Sequence, residues 1–371
     1  MSYASIDQLQ KMLGETVFQH TKDAKKAAGR VLGTFVELIS YYLIRQWGMA
    51  NDVLIERPLQ EYGNRDITHN VEFSFHPSCQ LGRKIINTVP ITSTVLTRQL
   101  PEVYANGIIK NNNQLLTRDG LLRNACVFAE SQSYIYMANY VDLRKKSVDI
   151  VRLLSKPYAM IECKRVGVEE GCKKGPQTIE KAKQGAYVAK MTSSLQKIRN
   201  NQGEMQGVIY DENGPIIKPY QELLDDIILR RDDLLKDFIL SIGVVSNHGN
   251  WFTSDNLNKE LKVLAQSYDW LLFLSDEGLA TFIADLLLSS GKKEKAVMDA
   301  FINSYNEGKK HNRFTKTRID LDAHVAITNY FKDNITDIEQ WFSIVTPEKT
   351  KLSSLKKQLL TLKQKEWEVL L

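Results

Sequence analysis

Residues 147–164, SVDIVRLLSKPYAMIECK, decide the predicted fold of this 371-residue chain. Two apolar runs, 147–153 and 158–164, flank a short turn, Ser-Lys-Pro, at 155–157. Short apolar runs that are bounded by turn residues are typical of β-strands. We therefore predict two strands that pair as an antiparallel hairpin.

Three polar residues stand within these apolar strands. Glu162 and Lys164 are two positions apart, so a strand points both side chains to one face, while Cys163 faces the opposite side. In an antiparallel hairpin, Asp149 lies beside them. The hairpin therefore predicts a group of two carboxylates and one amine on a rigid part of a sheet.

Such a group suits a metal-dependent hydrolase. Mg²⁺ prefers oxygen ligands, and we predict that Asp149, Glu162 and the backbone carbonyl of Cys163 hold it, with Mn²⁺ as a substitute. A bound metal lowers the pKa of a water molecule and neutralises charge on a phosphate. Lys164 is the predicted group that orients this water and stabilises the transition state.

A structural role accounts for the same residues. A Glu and a Lys two positions apart are common on edge strands. An ion pair between Asp149 and Lys164 across the hairpin would contribute about 0.2–1 kcal/mol. Because spacing alone fits both interpretations, both remain open at this point.

Two further acids are candidates for the same site. Glu37 lies on the polar side of a helix predicted at 24–47, and Glu72 alternates with Val71 and Phe73 on a predicted strand. Glu37 is the first choice and Glu72 the second. An ordinary surface position explains Glu37 equally well.

The rest of the chain predicts an α/β protein with a mixed central sheet flanked by helices and a helical C-terminal region. We divide it into a core at 1–276, with N-terminal helices and an inserted region at 80–140, and a helical region at 277–371. Other predicted elements are strands at 53–59, 69–76, 237–246 and 268–275, and helices at 24–47, 177–199 and 219–236.

The charge distribution favours a phosphate-rich partner. Lys and Arg exceed Asp and Glu by 5 in the whole chain, by 6 in residues 164–199 and by 5 in residues 292–318. Basic runs are often only solvated faces, but next to a predicted metal site they fit DNA phosphates. The predicted DNA contacts are Lys173, Lys174, Lys181, Lys183 and Gln184.

Several function classes are disfavoured. The sequence contains no P-loop and no G-x-G-x-x-G motif, so we do not expect an ATP-driven motor. Its four cysteines form no C-x-x-C pair, which disfavours a zinc site and fits a reducing compartment. Because there is no long apolar run and no N-terminal secretory pattern, we expect a cytoplasmic protein without a membrane span.

Asp149, followed after 12 residues by Glu162-x-Lys164, resembles the signature of the PD-(D/E)XK nuclease superfamily. Val148 stands where that signature usually has Pro. By element order the resemblance covers residues 30–200, and by motif it covers residues 148–187.

Gln184-Gly185-Ala186-Tyr187 resembles the Gln-bearing helix of many superfamily members, although the usual Gln-x-x-x-Tyr spacing is not met. The resemblance implies a restriction-endonuclease-like core with Glu37 as an added acid. It also implies a Mg²⁺-dependent type II restriction endonuclease that cuts double-stranded DNA at a short sequence. The alternatives are a structure-specific repair or recombination nuclease, and a DNA-binding protein without catalysis.

A homodimer is expected, because two identical active sites related by a two-fold axis can cut both strands of a symmetric site. One possible dimer surface is an apolar stripe near the C-terminus. A stripe of this length suits packing on the chain's own core better than a coiled coil. Its residues are Leu352, Leu355, Leu359 and Leu362.

Overall fold

The structure is a computed structural model. The residues it describes are 6–16, 18, 24–58, 70–100, 108–142, 146–167, 187, 188, 191, 193–248, 259–288, 292–305 and 312–370.

The strands in these ranges are β1 (Val53–Pro58), β2 (Asn70–Phe75), β3 (Ser78–Ile85), β4 (Ile91–Thr92), β5 (Ile109–Lys110), β6 (Gln114–Leu116), β7 (Leu121–Arg123), β8 (Cys126–Glu130), β9 (Tyr134–Asp142), β10 (Ser147–Leu154), β11 (Ala159–Gly167), β12 (Gln196–Arg199), β13 (Met205–Asp211), β14 (Gly214–Pro219), β15 (Leu240–His248), β16 (Trp270–Leu274), β17 (Arg318–Asp320) and β18 (Phe342–Thr346).

The helices are α1 (Ile6–Thr16), α2 (Ala24–Gln46), α3 (Ser93–Thr97), α4 (Tyr220–Arg230), α5 (Asp232–Leu235), α6 (Lys259–Ser267), α7 (Asp276–Ile283), α8 (Lys292–Tyr305), α9 (Leu321–Asp333), α10 (Ile335–Gln340), α11 (Leu352–Lys363) and α12 (Trp367–Leu370). A π-helical turn, Ala284–Leu288, follows α7. The predicted α/β class is confirmed.

The chain forms two compact units, and each is built from separate stretches of sequence. Unit 1 comprises Met1–Ile55, Ser78–Lys156 and Ser275–Trp341, and unit 2 comprises Glu56–Pro77, Pro157–Leu274 and Phe342–Leu371. The residues after 276 are thus shared between the units, which differs from the predicted division at that point. They also contain the strands β17 and β18 in addition to helices.

Unit 2 contains most of a six-stranded mixed sheet in the order β1-β2-β11-β15-β16-β18. β11 pairs antiparallel with β2 and parallel with β15, and β15 pairs parallel with β16. One hydrophobic cluster on this sheet includes Met160, Val245, Leu264 and Tyr268, all of them buried. β11 is therefore an interior strand, and its backbone is hydrogen-bonded to a neighbouring strand along both edges.

Unit 1 is built around α2 and a five-stranded sheet in the order β3-β10-β9-β8-β5. β10 lies inside this sheet and pairs antiparallel with both β3 and β9. Its residues Val148 and Ile150 belong to a buried cluster with Phe128 and Tyr136. The region predicted as an insertion supplies strands to this sheet, so it is a main part of unit 1.

The predicted hairpin between β10 and β11 is wrong, although both strands form where the sequence placed them. The chain leaves the first sheet at Ser155, whose N–H donates to Ser133 O at 2.9 Å. It enters the other sheet at Tyr158, whose N–H donates to Phe75 O at 2.8 Å. The turn at 155–157 therefore connects two sheets, because each strand finds its partners elsewhere in the sequence.

The prediction of a helix at 177–199 is wrong for its last four residues. Gln196–Arg199 is strand β12, which pairs antiparallel with β13. Residues 168–186 lie outside the described residues.

The apolar C-terminal stripe packs within the chain, as the sequence favoured. Leu355, Leu359 and Leu362 are fully buried on α11. Beside them, Gln358 Oε1 accepts a hydrogen bond of 2.8 Å from Trp270 Nε1, and its Nε2 donates to Asp225 at 2.8 Å. This stripe therefore belongs to the core of unit 2.

α2 is the one helix among the described residues that is long and apolar enough, by length and composition alone, to cross a membrane. The stretch Ala27–Gln46 has a mean hydropathy of 1.2, but 67% of it is buried inside the protein. Phe35 packs against Phe282 and Phe301, and Tyr42 hydrogen-bonds His324 at 2.9 Å. These contacts are those of a core helix in a globular unit.

Gly278 and Gly33 offer a matched test of the packing in unit 1. A Cβ at Gly278 would lie 2.4 Å from Trp341 Cγ, whereas a Cβ at Gly33 would meet nothing within 4 Å. We expect Gly278→Ala to lower the free energy of unfolding by about 1–3 kcal/mol through overpacking. Gly33→Ala should raise helix stability by about 0.5–1 kcal/mol. Thermal melting followed by circular dichroism checks both, and an unchanged melting temperature for Gly278→Ala would contradict the packing.

Candidate active site

Glu72, Glu162 and Lys164 come together on two neighbouring strands of unit 2. Phe73 on β2 pairs with Ile161 on β11 in antiparallel register. Glu72 precedes Phe73 and Glu162 follows Ile161, so the two acids are neighbours across the strand pair. The Glu72 backbone N–H donates to Glu162 Oε2 at 3.2 Å. Lys164 Nζ lies 2.7 Å from Glu162 Oε1 and 3.7 Å from Glu72 Oε1. We call these three side chains the acidic site.

The acidic site is mostly shielded from water. Glu162 is 1% exposed and Glu72 is 9% exposed, whereas the Lys164 side chain keeps 24% of its surface. Two buried carboxylates repel each other, and removing them from water costs several kcal/mol per charge unless cations compensate. Lys164 supplies one positive charge beside the two carboxylates, and a metal ion would add further positive charge.

Gly243 and Tyr268 form one wall beside Glu162. Gly243 on β15 is the register partner of Glu162, and a Cβ there would lie 2.8 Å from Tyr268 Cδ2. Burial raises the pKa of Tyr268 well above its usual value, and the nearby charge of Glu162 raises it further. The aromatic ring thus occupies the space that a side chain at position 243 would fill.

The donor set of the acidic site fits Mg²⁺. Glu72 and Glu162 supply carboxylate oxygens, and Lys164 Nζ would leave its 2.7 Å contact with Glu162 when a metal binds. Among the described residues, no cluster of three or more His, Cys, Asp or Glu side chains is arranged to hold a metal. A Mg²⁺ ion here would take two carboxylates and complete its shell with water and substrate oxygens, which is its common mode in proteins.

The Cys163 side chain is buried, 3% exposed, on the opposite face of β11. Its thiol therefore does not face the acidic site, as the alternation along the strand predicts. The proposed metal contact through its backbone carbonyl stays a prediction.

Asp149 lies in unit 1, where it has a structural partner. Arg83 donates to both of its carboxylate oxygens, from Nε at 2.7 Å and from Nη2 at 3.0 Å, and Asn51 and Gln80 donate at 3.1 and 3.2 Å. Burial raises the pKa of Asp149, but the hydrogen bonds from Arg83 and Asn51 outweigh it and lower the pKa overall. Glu72, the second-choice acid, occupies the position beside Glu162 that the sequence assigned to Asp149.

Glu37 also lies in unit 1. Its Oε2 accepts from Lys316 Nζ at 3.0 Å, and Lys316 is 3% exposed. This ion pair joins α2 to the segment before β17 within unit 1. The predicted role of Glu37 as an added metal ligand gains no support from this pairing.

The predicted DNA contacts Lys173, Lys174, Lys181, Lys183 and Gln184 lie outside the described residues. Tyr187, which follows them, is 54% exposed, while the next residue, Val188, is buried in the cluster on the sheet of unit 2.

A second polar cluster in unit 2 lines a cavity of about 480 Å³. Lys197 Nζ donates to Ala265 O at 3.1 Å and to Tyr268 O, near the C-terminal end of α6, and lies 4.4 Å from the Tyr220 ring centroid. Asp269 accepts from Tyr220 Oη and from Ser241 N and Oγ. These groups bond to one another, and a cation suits a helix C-terminus, so the cluster stabilises the fold.

Comparison of the chain with known proteins gives no matching family model, no matching curated protein and no matching solved structure.

The cluster around Lys197 predicts a pH dependence of stability. Burial lowers the pKa of Lys197 from 10.5 to about 8, while the charge of Asp269 opposes this shift. Between these two values the unfolded chain holds a proton that the folded chain lacks. The free energy of unfolding contributed by Lys197 therefore rises with pH across this window and is smallest below pH 8.

Lys197→Met removes this titration. We expect urea unfolding to show that the stability of the wild type relative to Lys197→Met increases from pH 8 toward pH 10. Taking the difference cancels the groups that titrate in both proteins. Parallel stability profiles of the two proteins across this window would contradict the buried position of Lys197.

Proposed function

We propose that the chain is a metal-dependent nuclease and that Glu72, Glu162 and Lys164 form its active site. The observation that carries the proposal is the meeting of two carboxylates and one ammonium group on adjacent strands, with Lys164 Nζ 2.7 Å from Glu162 Oε1. Glu162-x-Lys164 corresponds to the second part, (D/E)XK, of the PD-(D/E)XK signature that the sequence resembles. Glu72 replaces Asp149 as the other acid.

The proposed roles follow from the chemistry of each group. Glu72 and Glu162 would hold Mg²⁺, or Mn²⁺ in its place. The chemistry that such an ion would supply is charge neutralisation on the scissile phosphate and a lower pKa of a bound water molecule. Lys164, the most exposed member of the site, orients the attacking water and stabilises negative charge on the phosphate oxygens. The ring of Tyr268 limits the access of water to Glu162 from one side.

Double-stranded DNA is the proposed substrate, with cleavage at a short specific sequence as in type II restriction endonucleases. The excess of 6 positive charges in residues 164–199, a range that begins on the strand bearing the acidic site, supports a polyanionic substrate. A cytoplasmic location and independence of ATP belong to the same proposal. The alternatives are a structure-specific nuclease and a DNA-binding protein in which the acidic site is only an ion-pair cluster.

Plasmid nicking in the presence of Mg²⁺ or of EDTA tests the proposal. We expect Mg²⁺-dependent cleavage that Glu162→Gln, Glu72→Gln and Lys164→Met each slow by about 10²–10⁴-fold, because each removes a ligand or a group that stabilises the transition state. Discrete fragments from a long DNA would support sequence-specific cutting. Cleavage that EDTA leaves undiminished would contradict the proposal.

Two variants serve as controls for the loss of a carboxylate charge. Glu222→Gln removes an exposed charge in unit 2, where the Glu222 side chain is 60% exposed, and should cleave at the wild-type rate. Asp149→Asn should lower stability, because Arg83 loses its ion pair, while cleavage per folded molecule stays within about 3-fold of wild type. Loss of cleavage in folded Asp149→Asn together with full activity of Glu72→Gln would return the catalytic role to Asp149.

A further inference from the structure

The small sheet formed by β12, β13 and β14 in unit 2 has one packed face. Ile209 on this face is 1% exposed. Gly207 leaves space for two side chains of α4, because a Cβ at this position would lie 2.9 Å from Leu223 Cδ2 and 3.3 Å from Tyr220 Cδ2. Gly207 and Ile209 therefore lie on the side of the sheet that packs against α4.

The other face of this sheet is uncharged and carries several exposed hydrophobic side chains. The register aligns Gln196 with Val208 and Ile217, Ile198 with Gln206 and Pro219, and Tyr210 with Pro215. Its large hydrophobic side chains are accessible: Tyr210 is 71% exposed, Ile217 57% and Ile198 43%. We call these eight residues the outer face.

The outer face carries no charge within these strands, all of which lie in the described range 193–248. By the same register, the charged residues of the strands point to the packed side. They are Lys197, Arg199, Asp211 and Lys218. An antiparallel sheet with one solvated face normally shows polar side chains there, so this sheet has the reverse arrangement. An exposed apolar patch of this kind is typical of an interaction site.

We propose that the outer face docks against the outer face of a second copy of this chain across a two-fold axis. A two-fold contact brings the same surface together with itself, and a surface without charges meets no repulsion when it does so. Tyr enrichment and depletion of charged residues are the features of interface centres. The proposal does not depend on a nuclease activity.

DNA is a poorer occupant of this face than a second copy. Most of the affinity of proteins for nucleic acids comes from Lys and Arg contacts to phosphates. Within the described strands, the cations Lys197, Arg199 and Lys218 are on the packed side, so the outer face offers none for a phosphate chain.

The area of the outer face limits the expected strength of the dimer contact. Three strands that are about 4.8 Å apart and about 20 Å long present a face of about 300 Å². Standard protein–protein interfaces bury about 800 Å² per partner, so a contact centred on this smaller face is weak and reversible.

Sedimentation equilibrium of the full chain over about 1–200 μM tests the proposal. We expect a concentration-dependent monomer–dimer equilibrium. Ile217→Lys and Tyr210→Lys should each raise the dissociation constant at least about 10-fold, because each brings like charges together across the axis. Circular dichroism melting of the variants should match the wild type, since both positions are exposed.

Ile109→Lys is the matched control. Ile109 is 68% exposed on a strand of unit 1, so the same change there should leave the dissociation constant unchanged. A wild-type chain that remains monomeric at the highest concentration would overturn the proposal, and so would full dimerisation of Ile217→Lys. A loss of DNA affinity in both outer-face variants, with no change in mass, would make the face a nucleic-acid surface and would also overturn it.

Discussion

The antiparallel pairing of β2 with β11 is the constraint on which the candidate site depends. It places the Glu72 N–H 3.2 Å from Glu162 Oε2 and leaves Lys164 Nζ within 3.7 Å of Glu72. β15 pairs with β11 on the other side, where Gly243 leaves room for the Tyr268 ring next to Glu162. The positions of the acidic groups are thus fixed by backbone hydrogen bonds of an interior strand.

The energetics of the acidic site favour a functional interpretation. Replacing buried ionic groups by apolar ones is often neutral or stabilising, so a fold gains little from placing two carboxylates together in its interior. Lys164 lies beside both carboxylates, and 24% of its side-chain surface is exposed. By contrast, Asp149 is matched by a two-point contact with Arg83, which is the expected arrangement for a structural carboxylate.

Local patterns in the sequence predicted the elements well but not their partners. The alternation around Phe73 and the apolar run at 158–164 identified β2 and β11, and Gly48, with its φ of 78°, ends the predicted long helix near the expected residue. The pairing of β11 with β2, more than 80 residues earlier in the chain, leaves no local signal. The hairpin assumption therefore placed Asp149 beside Glu162, whereas the register of the sheet places Glu72 there.

Anomalous scattering from crystals soaked in Mn²⁺ tests the central claim most directly, because it locates the ion without any assumption about substrate. If Glu72 and Glu162 form a metal site, the anomalous difference map will show a peak between their carboxylates, with Lys164 Nζ moved from its 2.7 Å contact with Glu162. A peak at Asp149, or no peak beside Glu72 and Glu162 at a Mn²⁺ concentration that supports cleavage, would contradict it.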